Sequence, residues 1–277
     1  MKATIRALNL YPIKGCRGVA LRAARLAATG LEHEEIGDRE WIVVDEHGEF
    51  LSQRELPRMA LIETRLTGSS MLLKAPGMLQ LEVPYESEGD VVRVRVWDDT
   101  IPAVTQGEIA DAWFTSFLGR PGRLVRFDPE ARRLSNHRYT GKFDAPYKFA
   151  DAFALLVTGQ ASLDDFNARL ARQGHAAIAM ERFRPNVVLD GLPAFDEDYA
   201  KTLRVDGAEL RVVKPCARCT VPGVDPATGE ASNVVPDLLA TYRRRENGVM
   251  FGVNAIVVEG AGAWLAVGDE VEVELDL

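Results

Sequence analysis

Two cysteines spaced as Cys216-Ala-Arg-Cys219 follow Lys214 and Pro215 at the end of an alternating, strand-like run, Thr202 to Val213. A thiol beside Lys214 and Arg218 is expected to favour its thiolate, because a neighbouring positive charge lowers a cysteine pKa. Thiolates bind soft metals and attack electrophiles. Three other readings compete for the pair. Structural zinc needs four Cys or His ligands, yet there is no second Cys-x-x-Cys, and His33, His47, His137 and His175 show no ligand spacing. Thioredoxin-like redox chemistry needs the pair to open a helix, which Pro222, Gly223 and Pro226 oppose. Packing of two buried thiols stays open.

A second chemical signal is Arg182-Phe-Arg-Pro-Asn186, two guanidiniums and an amide before an extended segment, with Pro185 keeping Arg184 out of helical geometry. A fixed arginine fork suits phosphate or carboxylate, and a solvated loop charge is the plain alternative. Lys14 in Tyr11-Pro-Ile-Lys-Gly-Cys16 and Arg39 in Gly37-Asp-Arg-Glu-Trp41 are single basic residues beside apolar ones. The chain lacks Gly-x-Gly-x-x-Gly, a Walker loop, a Gly-x-Ser-x-Gly elbow and a His-Glu-x-x-His helix, so the commonest nucleotide, hydrolase and zinc-protease signatures are missing.

The elements that must position these groups read mostly as strands. Glu40–Val44 and Glu49–Ser52 flank Asp45-Glu-His-Gly48 as a hairpin, and Met78–Val83 is expected to pair with Val91–Trp97 across a polar loop. Helical spacing appears at Ile109, Trp113 and Phe117, and at Leu163, Phe166 and Leu170, the latter with Ser162 and Asp165 as an N-cap signal. Residues 128–148 lose their period and read as a long loop of the kind that forms lids or site walls. An extended Asn186–Leu189, a helix near Asp237–Tyr242 and strands at Ala255–Val258 and Glu270–Glu274 follow. The expected class is α+β and β-rich, with barrel-like parts and a few helices.

Of the 277 residues, 47% are hydrophobic and 27% charged, as in soluble globular proteins. The balance of 33 basic and 41 acidic residues, a net charge of −8, argues against a nucleic-acid or membrane-surface binder. The N-terminus lacks a signal-peptide core and no apolar run approaches a membrane span, so a cytoplasmic protein is expected. Three cysteines fit a reducing compartment.

In order, Leu10-Tyr-Pro-Ile-Lys-Gly-Cys16, Gly37-Asp-Arg-Glu-Trp41, Phe183-Arg-Pro-Asn186 and Lys214-Pro-Cys-Ala-Arg-Cys-Thr220 with Asp225-Pro-Ala-Thr-Gly229 resemble the MOSC-domain proteins over nearly the whole chain. The resemblance implies an N-terminal MOSC β-barrel domain, residues 1–127, followed by a MOSC domain, residues 128–277. It also implies a molybdenum-cofactor-dependent oxidoreductase, like the amidoxime-reducing relatives, that reduces N-hydroxylated compounds. By motif position Cys219 is the implied molybdenum ligand and catalytic residue. Lys14, Gly15, Arg39, Arg184, Asn186, Cys216, Ala217 and Arg218 are the implied cofactor contacts, with Asp151, Ala152 and Phe153 from a further segment. A soft thiolate suits molybdenum, and a pterin phosphate wants cations.

The sequence also departs from the family. Gly15 stands where relatives often carry serine. Neither an iron–sulfur cysteine cluster nor the pyridoxal-phosphate lysine of the sulfurases is found, so neither cofactor is expected on this chain. Electrons would come from a separate electron-transfer protein, and the substrate would be a small N-hydroxylated molecule. The alternative is a carrier or binding module for molybdenum cofactor or sulfur, without turnover of its own.

Overall fold

The computed structural model describes residues 1–86 and 89–276; residues 87 and 88 of the expected polar loop, and residue 277, lie outside them. The architecture is strand-rich α+β, with a closed barrel and a second, partly open β unit.

Seven strands close the barrel in the order Leu155–Gly159, Val187–Asp190, Lys2–Leu10, Glu270–Leu275, Ala200–Val205, Ala208–Ala217 and Gly248–Glu259, the last pairing back onto the first. Leu155–Gly159 and Val187–Asp190 run parallel, joined by a crossover containing the helix Gln160–Arg172; the other pairings of this barrel are antiparallel. In Lys2–Leu10 the buried side chains are Ala3 and Ile5, then Leu8 and Leu10. The change of parity falls where the pairing with Val187–Asp190 shifts register between Ile5 and Ala7, since one extra residue swaps the faces of a strand.

The N-terminal unit holds three smaller sheets. Val91–Val96, Asp99–Thr105, Arg123–Phe127 and Trp41–Val44 form one, and Glu63–Leu66, Ser70–Lys74 and Leu81–Pro84 another. The third joins Ala23–Ala27, Gly30–His33 and Ile36–Gly37 to Trp264–Ala266 from the far end of the chain. The C-terminal segment thus completes an N-terminal sheet, while the first strand completes the barrel built otherwise from residues beyond 154.

Several expectations need correction. The run Thr202–Val213 is a hairpin, because Asp206 and Gly207 take φ values of 44° and 76° and turn the chain between Val205 and Ala208. Met78–Val83 and Val91–Trp97 are not partners: Leu81–Pro84 pairs with Ser70–Lys74, and Val91–Val96 turns at Trp97 and Asp98 into Asp99–Thr105. The helix Glu108–Leu118 buries Ala110, Trp113, Phe114 and Phe117 and leaves Ile109 exposed, because residues spaced by four drift around a 3.6-residue period. Ser162 lies inside the helix that Gly159 precedes, and its hydroxyl donates to Glu197 at 2.8 Å.

Residues 128–148 contain a short helix, His137–Thr140, and a bridge between Leu134 and Pro146. Arg133 pins the segment, donating to the carbonyls of Lys148 at 3.0 Å and Ala150 at 2.8 Å while pairing with Asp99. It is a fixed wall, and its end leads into the site.

Candidate functional site

Backbone hydrogen bonds bring the N-terminal motifs together. Lys14 N–H donates to Trp41 O at 2.8 Å, Trp41 N–H to Pro12 O at 2.9 Å, and Arg39 N–H to Tyr11 O at 2.7 Å. Phe149 N–H donates to Arg39 O at 2.9 Å, which ties in the segment that continues to Phe153. On the barrel side, Arg218 N–H donates to Val249 O at 2.8 Å, fixing the cysteine segment where its strand leaves the ladder.

The result is a cavity of about 340 Å³. All twelve residues singled out from the sequence line it: Lys14, Gly15 and Arg39; Asp151, Ala152 and Phe153; Arg184 and Asn186; Cys216, Ala217, Arg218 and Cys219. The lining also includes Phe50, Arg54 and Trp97, which the sequence did not single out, and Lys214, named only as a charge beside the thiols. Lys214 stood inside the quoted cysteine motif, and Arg54 follows the strand signal ending at Ser52, so both were within reach of a sequence reading. Trp97 gave no signal beyond ending an alternating run.

Six cations, Lys14, Arg39, Arg54, Arg184, Lys214 and Arg218, line the cavity against one carboxylate, Asp151. An acidic protein therefore presents an electropositive interior surface. Arg39 and Arg184 each stack on the Tyr11 ring, 4.3 Å from its centroid, and both adopt left-handed backbone, φ 48° and 57°. Arg184 is outside the right-handed helix, as Pro185 demands, yet left-handed and not extended. Asp38 pairs with Arg39, whose guanidinium also donates to Asn186 Oδ1 and Arg184 O, both at 3.1 Å. Arg184 donates to Cys16 O at 2.6 Å. Burial, and then the adjacent Arg39, push the Arg184 pKa down to about 10.

Lys14 reaches Asp151 at 2.6 Å, and Asp151 also accepts from the Trp97 indole at 3.1 Å. Burial lowers the Lys14 pKa, and Asp151 only partly opposes this. For Asp151 burial acts upward, but the Lys14 charge and hydrogen bond, with that of Trp97, outweigh it and hold the carboxyl below its ordinary range. The Asp151 side chain is 70% exposed against 12% for Lys14, so the ionised carboxylate sits at the mouth and the amine lies within.

Asn186 is 1% exposed and its amide makes three hydrogen bonds. Its Oδ1 accepts from Leu156 N–H and Arg39, both at 3.1 Å, and its Nδ2 donates to Asn9 O at 3.2 Å. It therefore positions Arg39 and joins three segments, and Asn9 takes one of its two Nδ2 N–H donors.

The three cysteines are free and differ in environment. Cys16 is buried, which drives its pKa up to about 12. Arg218 donates to Cys216 Sγ at 3.2 Å and to Phe183 O at 2.8 Å, so the guanidinium expected beside Cys219 stands on the other sulfur. Cys219 is exposed on the cavity, open to a ligand. The Nε of Arg218 is buried with no protein partner, a donor waiting for an acceptor. Among the described residues no three His, Cys, Asp or Glu side chains are grouped so as to hold a metal together.

The MOSC N-terminal beta barrel domain family matches residues 2–121, and the MOSC domain family matches residues 144–272. Mitochondrial amidoxime reducing component 2 of Bos taurus is 33% identical over 246 residues, covering 87% of this chain and 72% of that protein. The chain belongs to the MOSC-domain family. Mitochondrial amidoxime-reducing component 1 of Homo sapiens is likewise 33% identical, over 247 residues, with 87% of this MOSC chain and 72% of the human one covered. No helix among the described residues of this MOSC protein is long and apolar enough to cross a membrane.

Proposed function

We propose that the protein is a molybdenum-cofactor-dependent reductase of N-hydroxylated compounds, with the Cys219 thiolate as the protein ligand to the metal. The observation that carries this reading is the convergence of an exposed Cys219 with six cations, including the unpartnered Arg218 Nε, on one cavity in a protein of net charge −8. The amidoxime-reducing relatives and the association of MOSC domains with molybdenum cofactor support an N-reductive role.

The residues fit such a group. Lys14, Arg39, Arg184 and Arg218 would hold its phosphate and pterin, and when bound the cofactor would supply two-electron removal of oxygen from nitrogen. Lys14 would meet an anionic guest by exchanging its contact with Asp151, whose side chain already lies mostly in solvent. Asp38 and Asn186 hold the Arg39 guanidinium in place from behind, so its orientation does not have to be found when the guest arrives. Cys219 loses its proton to solvent on ligation, since a thiolate is the ligating form. Gly15 offers only backbone, and its carbonyl already accepts from Gln53 at 2.6 Å, leaving its N–H as the group free to face a guest. We place the protein in a reducing compartment, the cytoplasm, with electrons delivered by a separate carrier protein, because its three thiols are free.

The test is metal analysis and turnover on protein from a host that makes the cofactor. Wild type should carry molybdenum and reduce an amidoxime with a chemical donor such as reduced viologen, and Cys219→Ala should lose both while keeping its circular dichroism. Cys216→Ser should lose less. Full molybdenum and full turnover in Cys219→Ala would make the ligand assignment wrong; a loaded wild type that reduces no N-hydroxylated compound, yet passes its cofactor to an apo-molybdoenzyme, would replace the reductase with a carrier.

A further inference from the structure

Trp97 occupies the first position of the two-residue turn between Val91–Val96 and Asp99–Thr105, at φ 58°. Glycine and asparagine take up that left-handed conformation at little cost, whereas a bulky side chain is strained in it. Strain of this sort points to a role the surroundings enforce. Here the surroundings are specific. The indole N–H is held by Asp151 at 3.1 Å, the ring meets Phe50 edge-on at a centroid distance of 5.0 Å, and the Arg54 guanidinium lies 4.5 Å from its centroid. Despite these three contacts the residue is 45% exposed, and both Trp97 and Phe50 line the cavity.

The cavity therefore has a cationic part, with Arg39, Arg184 and Arg218, and an aromatic part at the mouth, with Phe50 and Trp97 beside Asp151. The cationic part suits an anion. The aromatic part suits a flat, conjugated group, because a ring already fixed by a hydrogen bond and an edge contact loses little freedom when a second ring packs on it. A small aliphatic guest gains nothing comparable from that wall.

We propose that Trp97, backed by Phe50, is a specificity-determining residue that selects aryl-substituted over alkyl-substituted N-hydroxylated substrates. The proposal rests on the reductase reading for the word substrate, but not for the binding preference. Trp97→Asn removes the ring with a residue the turn favours, and Trp97→Phe keeps a ring while losing the indole N–H.

The experiment compares benzamidoxime with acetamidoxime, two compounds with the same N–O centre, on wild type and both variants. Binding is read by calorimetry and by kcat and KM with reduced viologen on the cofactor-loaded protein. Wild type should favour benzamidoxime in binding, and Trp97→Asn should shrink the ratio of the two affinities about two- to tenfold, the size of an aromatic pair contact. The change should appear in KM more than kcat, and Trp97→Phe should retain most of the ratio. An equal loss for both compounds, or an unchanged ratio in Trp97→Asn, overturns the proposal. Discriminating binding with no turnover in any form leaves Trp97 as the selector and sinks the reductase reading instead.

Discussion

Arg39 and Arg184 share the ring of Tyr11, and burial first, with the neighbouring Arg39 charge second, pushes the Arg184 pKa down to about 10. An anion bound between them offsets this repulsion, so the site is built to hold negative charge more firmly than an exposed arginine pair could. The sign of the pH dependence follows. Arg184 is charged below about pH 10 and loses its proton as pH rises through that value, and Lys14 is displaced in the same direction. Affinity for inorganic phosphate, largely dianionic across this range, should therefore hold near about pH 8 and fall toward about pH 10.5, as equilibrium dialysis would show; flat affinity across that range would show that both cations keep their charge despite burial. Replacing Arg184 by alanine should loosen pterin retention about ten- to a hundredfold, since charge-assisted hydrogen bonds contribute roughly 1.5–3 kcal/mol, and equal pterin content after dialysis would count against it. Asn186→Ala should behave differently. It leaves Leu156 N–H and an Arg39 donor without their acceptor, so it should cost about 2–3 kcal/mol in urea unfolding as well as weakening the anion site. The basic and sulfur residues of the cavity were legible because charge and thiol chemistry are properties of single residues. The threefold hydrogen bonding of the Asn186 amide was not, because it depends on which distant segments meet, nor was the contact of Arg218 with Cys216, which depends on how the chain turns as its strand ends.

Strands were easier to find in the sequence than their partners. Alternation marks a strand by its own side chains, which is why Val91–Val96 and Glu270–Leu275 could be read locally. Partner choice is set by turns. The Asp206-Gly207 turn carried a readable hairpin signal that the uninterrupted alternation around it masked, whereas Trp97 in a left-handed turn contradicts ordinary turn preference and could not be anticipated. Two glycines separate turn strain from crowding. Gly207, at φ 76°, has open space where a Cβ would stand, while Gly252, at φ 72°, would put a Cβ 2.7 Å from Val157 O at the seam that closes the barrel. Gly207→Ala should cost about 1 kcal/mol from conformation alone, and Gly252→Ala clearly more, because backbone on the facing strand cannot step aside. Equal midpoints for the two variants in urea would show that the seam is softer than its geometry implies.

At the scale of the molecule, the two halves exchange strands: Lys2–Leu10 lies between Val187–Asp190 and Glu270–Leu275, and Trp264–Ala266 pairs with Ala23–Ala27. The family of the chain and its β-rich class were readable from ordered motifs, but this exchange was not, because no local pattern records a pairing across some 180 residues. A fragment of residues 1–127 should fail to fold into a protease-resistant unit, and a resistant, dispersed-NMR fragment would contradict the pairing. The same exchange sets a schedule for synthesis. A nascent chain that has emerged only as far as residue 127 already contains Lys14 and Arg39, yet Arg184, Arg218 and Cys219 do not exist, and neither Val187–Asp190 nor Glu270–Leu275, between which Lys2–Leu10 lies, has been made. The cavity thus cannot form before Cys219 and the strands that hold its walls have emerged, so its guest has to be delivered after that point, and Lys2–Leu10 waits until Glu270–Leu275 is made for its full set of neighbours.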